Sequence, residues 1–383
     1  MNVIRRMRIA LNAQKLSFAR AYQAGGISRY IFELLSQLRQ ISSPHRFEAF
    51  APLVAPDTSL APTQKFRLTP TGKATEHPLA RILWEQIVLP ARTGGRFDLV
   101  HGLAFALPLV WRGRAVVTIF DLSFRRHPEF FRRGNRLYLD LSTRLAVRRA
   151  DRVLTISEHG RREVIELLGV SPSRVATTYC AADSRFRPLP AAEVRDFRGR
   201  RGLPERFVLY LGTLEPRKNV VTLLRAYARL RSEWPDAPRL VLAGARGWLY
   251  QEVFDEIRRL GLSEHVQTPG FIDSGEQPLW YNAAAVFAYP SLYEGFGLPP
   301  LEAMACGTPV VVSNTTSLPE VVGQAGLLVP PLDEPALATA LRRVLQDDRL
   351  ASGLRQAGLE QAARFSWRRM ALETLSCYDE LAA

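Results

Sequence analysis

Short apolar runs rich in β-branched residues alternate along this chain with longer segments of helical hydrophobic periodicity. The alternation predicts an α/β fold in which helices cover both faces of parallel sheets. The strands predicted in the first half lie at residues 8–13, 47–51, 99–102, 115–119, 152–156 and 175–178. Those predicted in the second half lie at residues 207–211, 239–243, 266–268, 286–288 and 309–312.

A break in this pattern divides the chain, because residues 186–204 interrupt the alternation with three prolines and two glycines. A length of 383 residues suits two domains, and 47% apolar residues suffice for two hydrophobic cores. We therefore predict two Rossmann-like domains, at residues 1–190 and 203–365, followed by a helix within residues 366–383. Ligands of such sheets bind at the carboxyl ends of the strands.

Two glutamates, Glu294 and Glu302, stand eight residues apart, the first in a glycine-rich loop and the second in the helix predicted after it. Gly295 and Gly297 allow a sharp turn and a close approach to a ligand, and the helix is predicted to begin near Leu298. The start of a helix favours an anion such as a diphosphate. One carboxylate could hold the sugar of a donor and the other the ribose of its nucleotide. Two solvated glutamates on a capped surface helix remain the alternative.

The sequence around these glutamates, YEGFGLPPLEAMACGTP at residues 293–309, resembles the donor-site signature of retaining glycosyltransferases of the large family 4. The likeness covers nearly every position from 290 to 312. It continues in colinear order at residues 25–30, 116–122, 155–158, 211–219, 317–323 and 326–331. The chain resembles mannosyl- and rhamnosyltransferases of bacterial polysaccharide assembly.

This resemblance implies the GT-B fold, with two Rossmann-like parallel-sheet domains facing across a cleft and the last helix packing back on the first domain. It implies transfer of a hexose or deoxyhexose from a nucleoside-diphosphate sugar to a glycan or lipid-diphosphate acceptor by front-face substitution. The nucleotide sugar is then a substrate, and no cofactor is expected. The donor-binding residues carried over from the family pattern are Gly26, Thr213, Gly295, Phe296, Gly297, Leu298 and Glu302, and Glu294 is carried over as catalytic.

Two cations, Arg217 and Lys218, follow the strand predicted at residues 207–211. They can neutralise a leaving diphosphate, and we include them among the catalytic candidates. The chain has no Asp-x-Asp flanked by apolar residues, the motif with which many glycosyltransferases hold a divalent ion. The sequence therefore predicts a metal-independent site.

In the first half, Gly26 lies between the first strand and a helix predicted at residues 27–40, where backbone N–H groups can approach a phosphate; a loop-closing turn is the alternative. Asp121 follows the strand at residues 115–119 and is a further catalytic candidate, although capping of the next turn is equally compatible with its position. Relatives commonly have His immediately before this Asp, whereas this chain has Phe120. His101 and Phe120 are therefore candidate contacts to the acceptor or donor sugar, and a structural role is the alternative for each.

The net charge of +14 is unevenly distributed. Residues 1–190 contain 30 Lys and Arg against 14 Asp and Glu, so the first half carries all of the excess. Such a surface can face an anionic membrane or a lipid diphosphate, or it can be the solvated surface of an arginine-rich chain. No nucleic-acid-binding motif accompanies the charge, so nucleic acid is not expected as a partner.

Three widely spaced cysteines indicate a reducing compartment without a disulfide framework or a zinc cluster. The apolar stretch after the basic residues 1–8 is too short for a signal peptide. These features predict a cytoplasmic enzyme, with peripheral contact to the inner face of the plasma membrane. A non-catalytic nucleotide-sugar-binding assembly protein and a nucleotide-sugar epimerase on the same fold remain as alternative functions.

Overall fold

The structure, a computed structural model, describes residues 5–17, 25–52 and 58–383, so residues 1–4 of the basic N-terminus lie outside it. The chain forms two compact units. The first unit comprises Met1–Cys180 and Ser366–Ala383, and the second comprises Ala181–Phe365. Residues 181–202, which the sequence pattern assigns to the first domain and the linker, thus belong to the second unit.

Over the described residues, the first unit is built on a seven-stranded parallel sheet. Its strands are β1 (Arg8–Asn12), β2 (Arg46–Ala51), β3 (Phe66–Pro70), β4 (Leu99–Gly102), β5 (Arg114–Ile119), β6 (Arg152–Thr155) and β7 (Val175–Thr177). Its first six helices are α1 (Gly26–Gln40), α2 (Pro78–Leu83), α3 (Leu89–Thr93), α4 (Ser123–Arg126), α5 (Arg133–Arg149) and α6 (Glu158–Leu168). The strand order is β3-β2-β1-β4-β5-β6-β7, which reverses direction between β1 and β4.

The second unit has a six-stranded parallel sheet in the described residues. Its strands are β8 (Phe207–Leu211), β9 (Arg239–Ala243), β10 (Val266–Gly270), β11 (Val286–Tyr289), β12 (Val310–Ser313) and β13 (Leu327–Val329), in the order β10-β9-β8-β11-β12-β13. Its helices are α7 (Ala191–Arg201), α8 (Val220–Glu233), α9 (Gln251–Arg259), α10 (Gln277–Ala283), α11 (Leu298–Ala305), α12 (Leu318–Val322), α13 (Glu334–Gln346) and α14 (Asp348–Ala362). The prediction of two Rossmann-like parallel-sheet units is confirmed.

The predicted strands and the observed strands agree where apolar residues run continuously. The central strands β5, β8 and β11 are fully buried along nearly all of their length, as expected for a sheet covered on both faces. The sequence pattern did not identify β3 and β13, which lie at the edges of their sheets. β3 alternates apolar residues with Arg67 and Thr69 and ends in proline, which an edge strand tolerates because one side of it lacks a partner.

The last helix, α15 (Trp367–Ala382), belongs to the first unit. Ser366 caps its start, because the Ser366 side chain accepts a hydrogen bond from the backbone N–H of Arg369. Its buried face reaches the sheet through Tyr378, whose hydroxyl hydrogen-bonds His101 Nδ1 at 2.6 Å. No helix of the described residues is long and apolar enough to cross a membrane.

Candidate active site

The candidate residues of the second unit lie in the segments that follow β8 and β11, two neighbouring strands, and in the first turns of α11. The strand order reverses between β8 and β11, and open α/β sheets bind ligands outside the carboxyl ends at such a point. The two loops are joined at the carbonyl oxygen of Arg217. It accepts a hydrogen bond from the Leu292 N–H at 2.9 Å and lies 3.1 Å from the Ser291 hydroxyl oxygen.

Glu294 is the centre of a buried ion-pair network. Lys218 Nζ donates to Glu294 Oε1 and to the Tyr289 hydroxyl, each at 2.6 Å. Ser291 Oγ donates to the same carboxylate oxygen at 2.6 Å, and Arg217 Nη1 lies 3.4 Å from Glu294 Oε2. Lys218 and Glu294 are only 8% and 7% exposed. The hydrogen bonds and the opposite charges compensate for the removal of both groups from water.

The Glu294 carboxylate is ionised at physiological pH. Burial is the largest single cause and raises the pKa of its carboxyl, whereas the charges of Lys218 and Arg217 lower it. Hydrogen bonds from Lys218 and Ser291 act in the same direction as these charges, and the resulting pKa is about 2. Glu294 can therefore accept hydrogen bonds from hydroxyls but has no proton to donate at neutral pH.

Arg217 is the more accessible of the two cations. Its side chain is 24% exposed, against 10% for Lys218. It also donates to Glu215 Oε1 at 2.8 Å and to the carbonyl oxygen of Tyr293 at 3.1 Å. These bonds fix the guanidinium beside Glu294, so both predicted cations meet the predicted carboxylate.

The loop before α11 is held by the segment after β12. The Glu294 N–H donates to Thr316 Oγ1 at 3.1 Å, and the Ser317 hydroxyl lies 2.9 and 2.7 Å from the carbonyl oxygens of Glu294 and Phe296. Gly297 has φ of +112°, and a Cβ there would lie 2.7 Å from a Leu318 methyl carbon, so glycine is required.

The helix α11 begins at Leu298, as the sequence predicts. Its second and third residues, Pro299 and Pro300, have no N–H groups. The N–H donors at this end are therefore those of Leu298 and the glycine-rich loop before it, fewer than an ordinary helix start offers. The helix dipole still favours an anion here.

Glu302 lies in the second turn of α11 and is 4% exposed. The Tyr281 hydroxyl donates to Glu302 Oε2 at 3.2 Å. Burial of both Glu294 and Glu302 does not fit the alternative of two solvated carboxylates on a surface helix.

Thr213 lies in a tightly packed turn after β8. Its carbonyl oxygen accepts a hydrogen bond from the Tyr210 hydroxyl at 3.0 Å. A Cβ at Gly247 would lie 2.6 Å from the Thr213 methyl carbon, and a Cβ at Gly244 would lie 1.9 Å from the carbonyl oxygen of Gly212. The two glycines therefore let the neighbouring loop approach this turn closely.

Several residues of the network were not assigned a role from sequence, among them Tyr289, Ser291, Thr316 and Asn219. Asn219 has φ of +57°, and its amide donates to the carbonyl oxygens of Pro290 at 3.0 Å and Pro331 at 2.6 Å. Asparagine tolerates this left-handed conformation better than most residues. Its place beside two candidate cations, at the end of the family-like stretch at residues 211–219, is the signal that could have identified it.

Two candidates of the first unit, Gly26 and Asp121, lie after strands of its sheet. Gly26 is the first residue of α1 and is exposed. Asp121 Oδ1 accepts hydrogen bonds from the Ser123 N–H at 2.9 Å and the Ser123 hydroxyl at 2.5 Å. This geometry corresponds to the capping alternative for Asp121.

The other two candidates of the first unit, His101 and Phe120, are buried. His101 is 0% exposed, and its Nδ1 and Nε2 hydrogen-bond the hydroxyls of Tyr378 and Thr118 at 2.6 and 2.9 Å. Burial lowers the pKa of His101 to about 3, so the ring is neutral and has no nitrogen left for a sugar. Phe120 packs against Tyr30 and Phe105, with ring centroids 5.1 and 5.8 Å away.

Comparison with known proteins places this site in a family. Residues 24–186 match the sequence profile described as Glycosyltransferase Family 4, and residues 194–361 match that of Glycosyl transferases group 1. Over 284 residues the chain is 38% identical to the O-antigen chain mannosyltransferase B of Escherichia coli, a match covering 74% of each protein. The chain belongs to glycosyltransferase family 4. As a family 4 glycosyltransferase, it uses nucleotide-sugar donors.

Solved structures confirm the GT-B fold class of this glycosyltransferase. Sucrose-phosphate synthase from Thermosynechococcus elongatus matches with a TM-score of 0.79 and 24% identity, covering 98% of each chain. Anabaena Alr3699/HepE, solved in complex with UDP and glucose, matches with a TM-score of 0.75 and 20% identity, covering 97% of this chain and 99% of that one.

Proposed function

We propose that this glycosyltransferase is a retaining, metal-independent mannosyltransferase that acts on a glycan carried by a lipid. The observation that carries the proposal is the buried network of Glu294, Lys218 and Arg217 beside the start of α11. It combines a fixed carboxylate, which accepts hydrogen bonds from sugar hydroxyls, with two cations suited to a diphosphate.

The similarity to the E. coli O-antigen chain mannosyltransferase B supports mannose as the transferred sugar. The E. coli serotype-specific mannosyltransferase WbdA, 35% identical over 226 residues, supports the same assignment. A 6-deoxyhexose is the second candidate, suggested by Phe120 where relatives commonly have His. The packing of Phe120 between Tyr30 and Phe105 gives it less support than the mannosyl assignment.

In the proposed reaction, the bond between the sugar C1 and the diphosphate oxygen breaks as the acceptor hydroxyl approaches the same face. The leaving phosphate oxygen takes the hydroxyl proton, so no enzyme carboxylate acts as a nucleophile. Glu294 suits a positioning role because a pKa of about 2 keeps it ionised throughout. Glu302, deeper in α11, is proposed to hold the ribose.

Positive charge for the leaving diphosphate is proposed to come from Arg217, Lys218 and the α11 dipole. Arg217 is the principal cation in this proposal, because it is the more exposed and because Lys218 is held by Glu294 and Tyr289. In this proposal, these groups supply the positive charge that a divalent ion supplies in metal-dependent glycosyltransferases.

A lipid-linked acceptor is supported by the surface of the first unit. A groove of about 560 Å³ is lined by arginines and leucines: Arg125, Arg126, Arg133, Arg136, Arg144, Leu137 and Leu167. Asp140 pairs with two of them, Arg125 and Arg144. Leu137 and Leu141 of α5 are 69% and 56% exposed beside these cations. Exposed leucines among arginines suit the surface of an anionic membrane, which we propose this unit contacts peripherally.

The test is a transfer assay with the full chain, an alkyl α-mannoside acceptor and GDP-mannose, GDP-fucose, UDP-glucose and dTDP-rhamnose as donors, with and without EDTA. We expect an α-linked product from GDP-mannose that is formed equally with EDTA. A β-linked product from GDP-mannose would contradict retention, and activity lost to EDTA and restored by Mg²⁺ would contradict metal independence. Epimerised donor without transfer would support the epimerase alternative, and tight donor binding without turnover would support the non-catalytic one.

A further inference from the structure

A buried polar pair lies at the carboxyl end of β1 in the first unit. Asn12, the last residue of this strand, donates its amide N–H to Glu85 Oε1 at 3.2 Å. Both residues are 5% exposed. The carbonyl oxygen of the Asn12 side chain, Oδ1, is buried and has no hydrogen-bond partner among the residues that the structure describes. An unpaired buried acceptor costs about 1–3 kcal/mol, so this oxygen requires an explanation.

An irregular helix brings Glu85 to this position. Residues Trp84–Val88 form a π-helical turn between α2 and α3. Such turns are less stable than α-helix and occur frequently at functional sites. Within this turn Glu85 is 5% exposed whereas Ile87 is 63% exposed, so the turn directs a carboxylate inward where a core residue would otherwise stand.

The pair lies where a ligand of this sheet is expected. β1 pairs with β2 on one side and with β4 on the other, and the strand order reverses between β1 and β4. Asn12 stands opposite Gly102 at the end of β4. The carboxyl ends of the strands at such a reversal are the usual ligand site of an open α/β sheet.

Two cations and an aromatic ring are close to Glu85. Burial raises the pKa of Glu85, and the charges of Arg81 and Lys15, with the Asn12 hydrogen bond, oppose that rise. The pKa of Tyr138 is raised to about 12, mainly by burial and secondly by the charge of Glu85. The Tyr138 ring is therefore within electrostatic reach of the Glu85 carboxylate. The side chain of Lys15 is exposed by surface area. Burial around its ammonium and the charge of Arg81 nevertheless lower the pKa of Lys15 to about 8, against the charge of Glu85, so a donor stands beside the buried acceptors.

We propose that Asn12, Glu85 and Lys15 form a binding site for the hydroxyl groups of the acceptor sugar. Asn12 Oδ1 lacks a hydrogen-bond donor among the described residues, and the Glu85 carboxylate can accept further hydrogen bonds, so both suit a ligand that donates them. The Lys15 ammonium can donate to the same ligand. A sugar hydroxyl both donates and accepts hydrogen bonds. A phosphate is disfavoured although Arg81 and Lys15 lie near, because the Glu85 carboxylate would repel it and a fully ionised phosphate has no proton to donate to Asn12 Oδ1. This inference rests on the proposed transfer to a glycan.

The test is direct binding of octyl α-mannobioside to the full chain, measured by ligand-observed NMR and by calorimetry, so that it does not depend on turnover. For Glu85→Gln we expect the Kd of the mannobioside to rise about tenfold or more, since a hydrogen bond to a charged group is worth roughly 1.5–3 kcal/mol. The Kd of GDP-mannose should remain unchanged. Glu163→Gln, which alters another buried carboxylate of the first unit, is the matched control and should change neither affinity.

Where Glu85→Gln lowers the yield of folded protein, Lys15→Gln provides the second variant, because an exposed side chain can be changed without loss of the fold. It should raise the mannobioside Kd about threefold. Unchanged mannobioside affinity in both folded variants would overturn the proposal, as would competition by pyrophosphate at this site. Failure of the wild type to transfer from any donor would instead refute the proposed function while leaving the binding result readable.

Discussion

Lys218 Nζ donates to Glu294 Oε1 at 2.6 Å, and this contact ties the loop after β8 to the loop after β11. Both side chains are buried, so each one depends on the other for compensation of its charge. Removal of one partner from a buried pair costs about 3–5 kcal/mol of folding free energy. Activity of variants at this site is therefore to be compared per folded molecule.

Glu294→Ala should lower kcat by roughly 10²-fold, because it removes the carboxylate proposed to position the donor sugar. Glu302→Ala should act mainly on donor affinity, because Glu302 is proposed to hold the ribose. Steady-state kinetics with GDP-mannose separate the two effects. Glu256→Ala, at a buried carboxylate of α9 paired with Arg225 and Arg259, is the control for loss of an ion pair. Near wild-type turnover in both site variants would show that the donor-site assignment is wrong.

Arg217→Ala should weaken transfer more than Arg217→Lys, since lysine keeps the charge although it loses the forked geometry. Lys218→Met should reduce both activity and stability, because Glu294 would lose its closest cation.

EDTA should leave the wild type active. Rescue of Arg217→Ala by Mg²⁺ to the level of Arg217→Lys would indicate that charge alone is required there. Equal activity of all three variants and the wild type would contradict a role in diphosphate stabilisation.

Stability should depend on pH through Glu294. Its pKa is held at about 2 in the folded protein, below the ordinary value of 4.5. Because the folded pKa is the lower one, the unfolded chain takes up the proton first as the pH falls. The contribution, about 3 kcal/mol, is thus complete above pH 4.5 and is lost as the pH falls towards 2.

Urea unfolding of the wild type and Glu294→Gln from pH 7 to pH 3 measures this contribution, since glutamine does not titrate. The difference in unfolding free energy should be constant above about pH 5 and should shrink by roughly 2 kcal/mol at pH 3. A difference that stays constant to pH 3 would show that the carboxylate is not stabilised by its cations.

Sequence predicted the elements of this fold better than the pairing of its charges. Strands with continuous apolar runs are identified by their own residues, whereas the edge strand β3 carries Arg67 and Thr69 and lacks that signal. Lys218 and Glu294 are 76 residues apart, and they meet because β8 and β11 are neighbours while β9 and β10 lie between them in the chain. No local pattern contains that adjacency. The partner of His101 was unpredictable for the same reason: His101 is bound by Tyr378, which is 277 residues away. The partner of Asp121, Ser123, is only two residues away and agrees with the capping alternative stated from sequence.

The first unit should bind vesicles containing anionic lipid, with an affinity that falls as salt rises, because each cation near the surface contributes about 1 kcal/mol and is screened. Flotation with phosphatidylglycerol vesicles at two salt concentrations measures this. A smaller fraction of the double variant, Arg133→Gln with Arg136→Gln, should float with the vesicles than of the wild type. Leu137→Ser should weaken vesicle binding at both salt concentrations. Arg195→Gln with Arg200→Gln, at two exposed arginines of α7, is the matched control. Binding that is independent of lipid charge would favour the solvated-surface alternative.

Phe120 should govern stability and leave donor choice unchanged. Relatives commonly have His here, and a Phe that lined the donor site would favour a 6-deoxy sugar, because an apolar wall accepts a methyl group. In this chain the ring is 3% exposed and lies 5.1 Å from Tyr30 in an edge-to-face arrangement. Phe120→Ala should therefore lower the unfolding free energy by about 3 kcal/mol or more, and Phe120→Leu by less.

Competition between GDP-mannose and its 6-deoxy counterpart, GDP-rhamnose, gives the second measurement. The ratio of kcat/KM values should stay within about threefold in Phe120→Leu and Phe120→His, since a difference below about 0.7 kcal/mol is expected from a side chain that does not touch the sugar. A shift of about tenfold towards GDP-mannose in Phe120→His would place this side chain against the donor and would restore the deoxyhexose assignment.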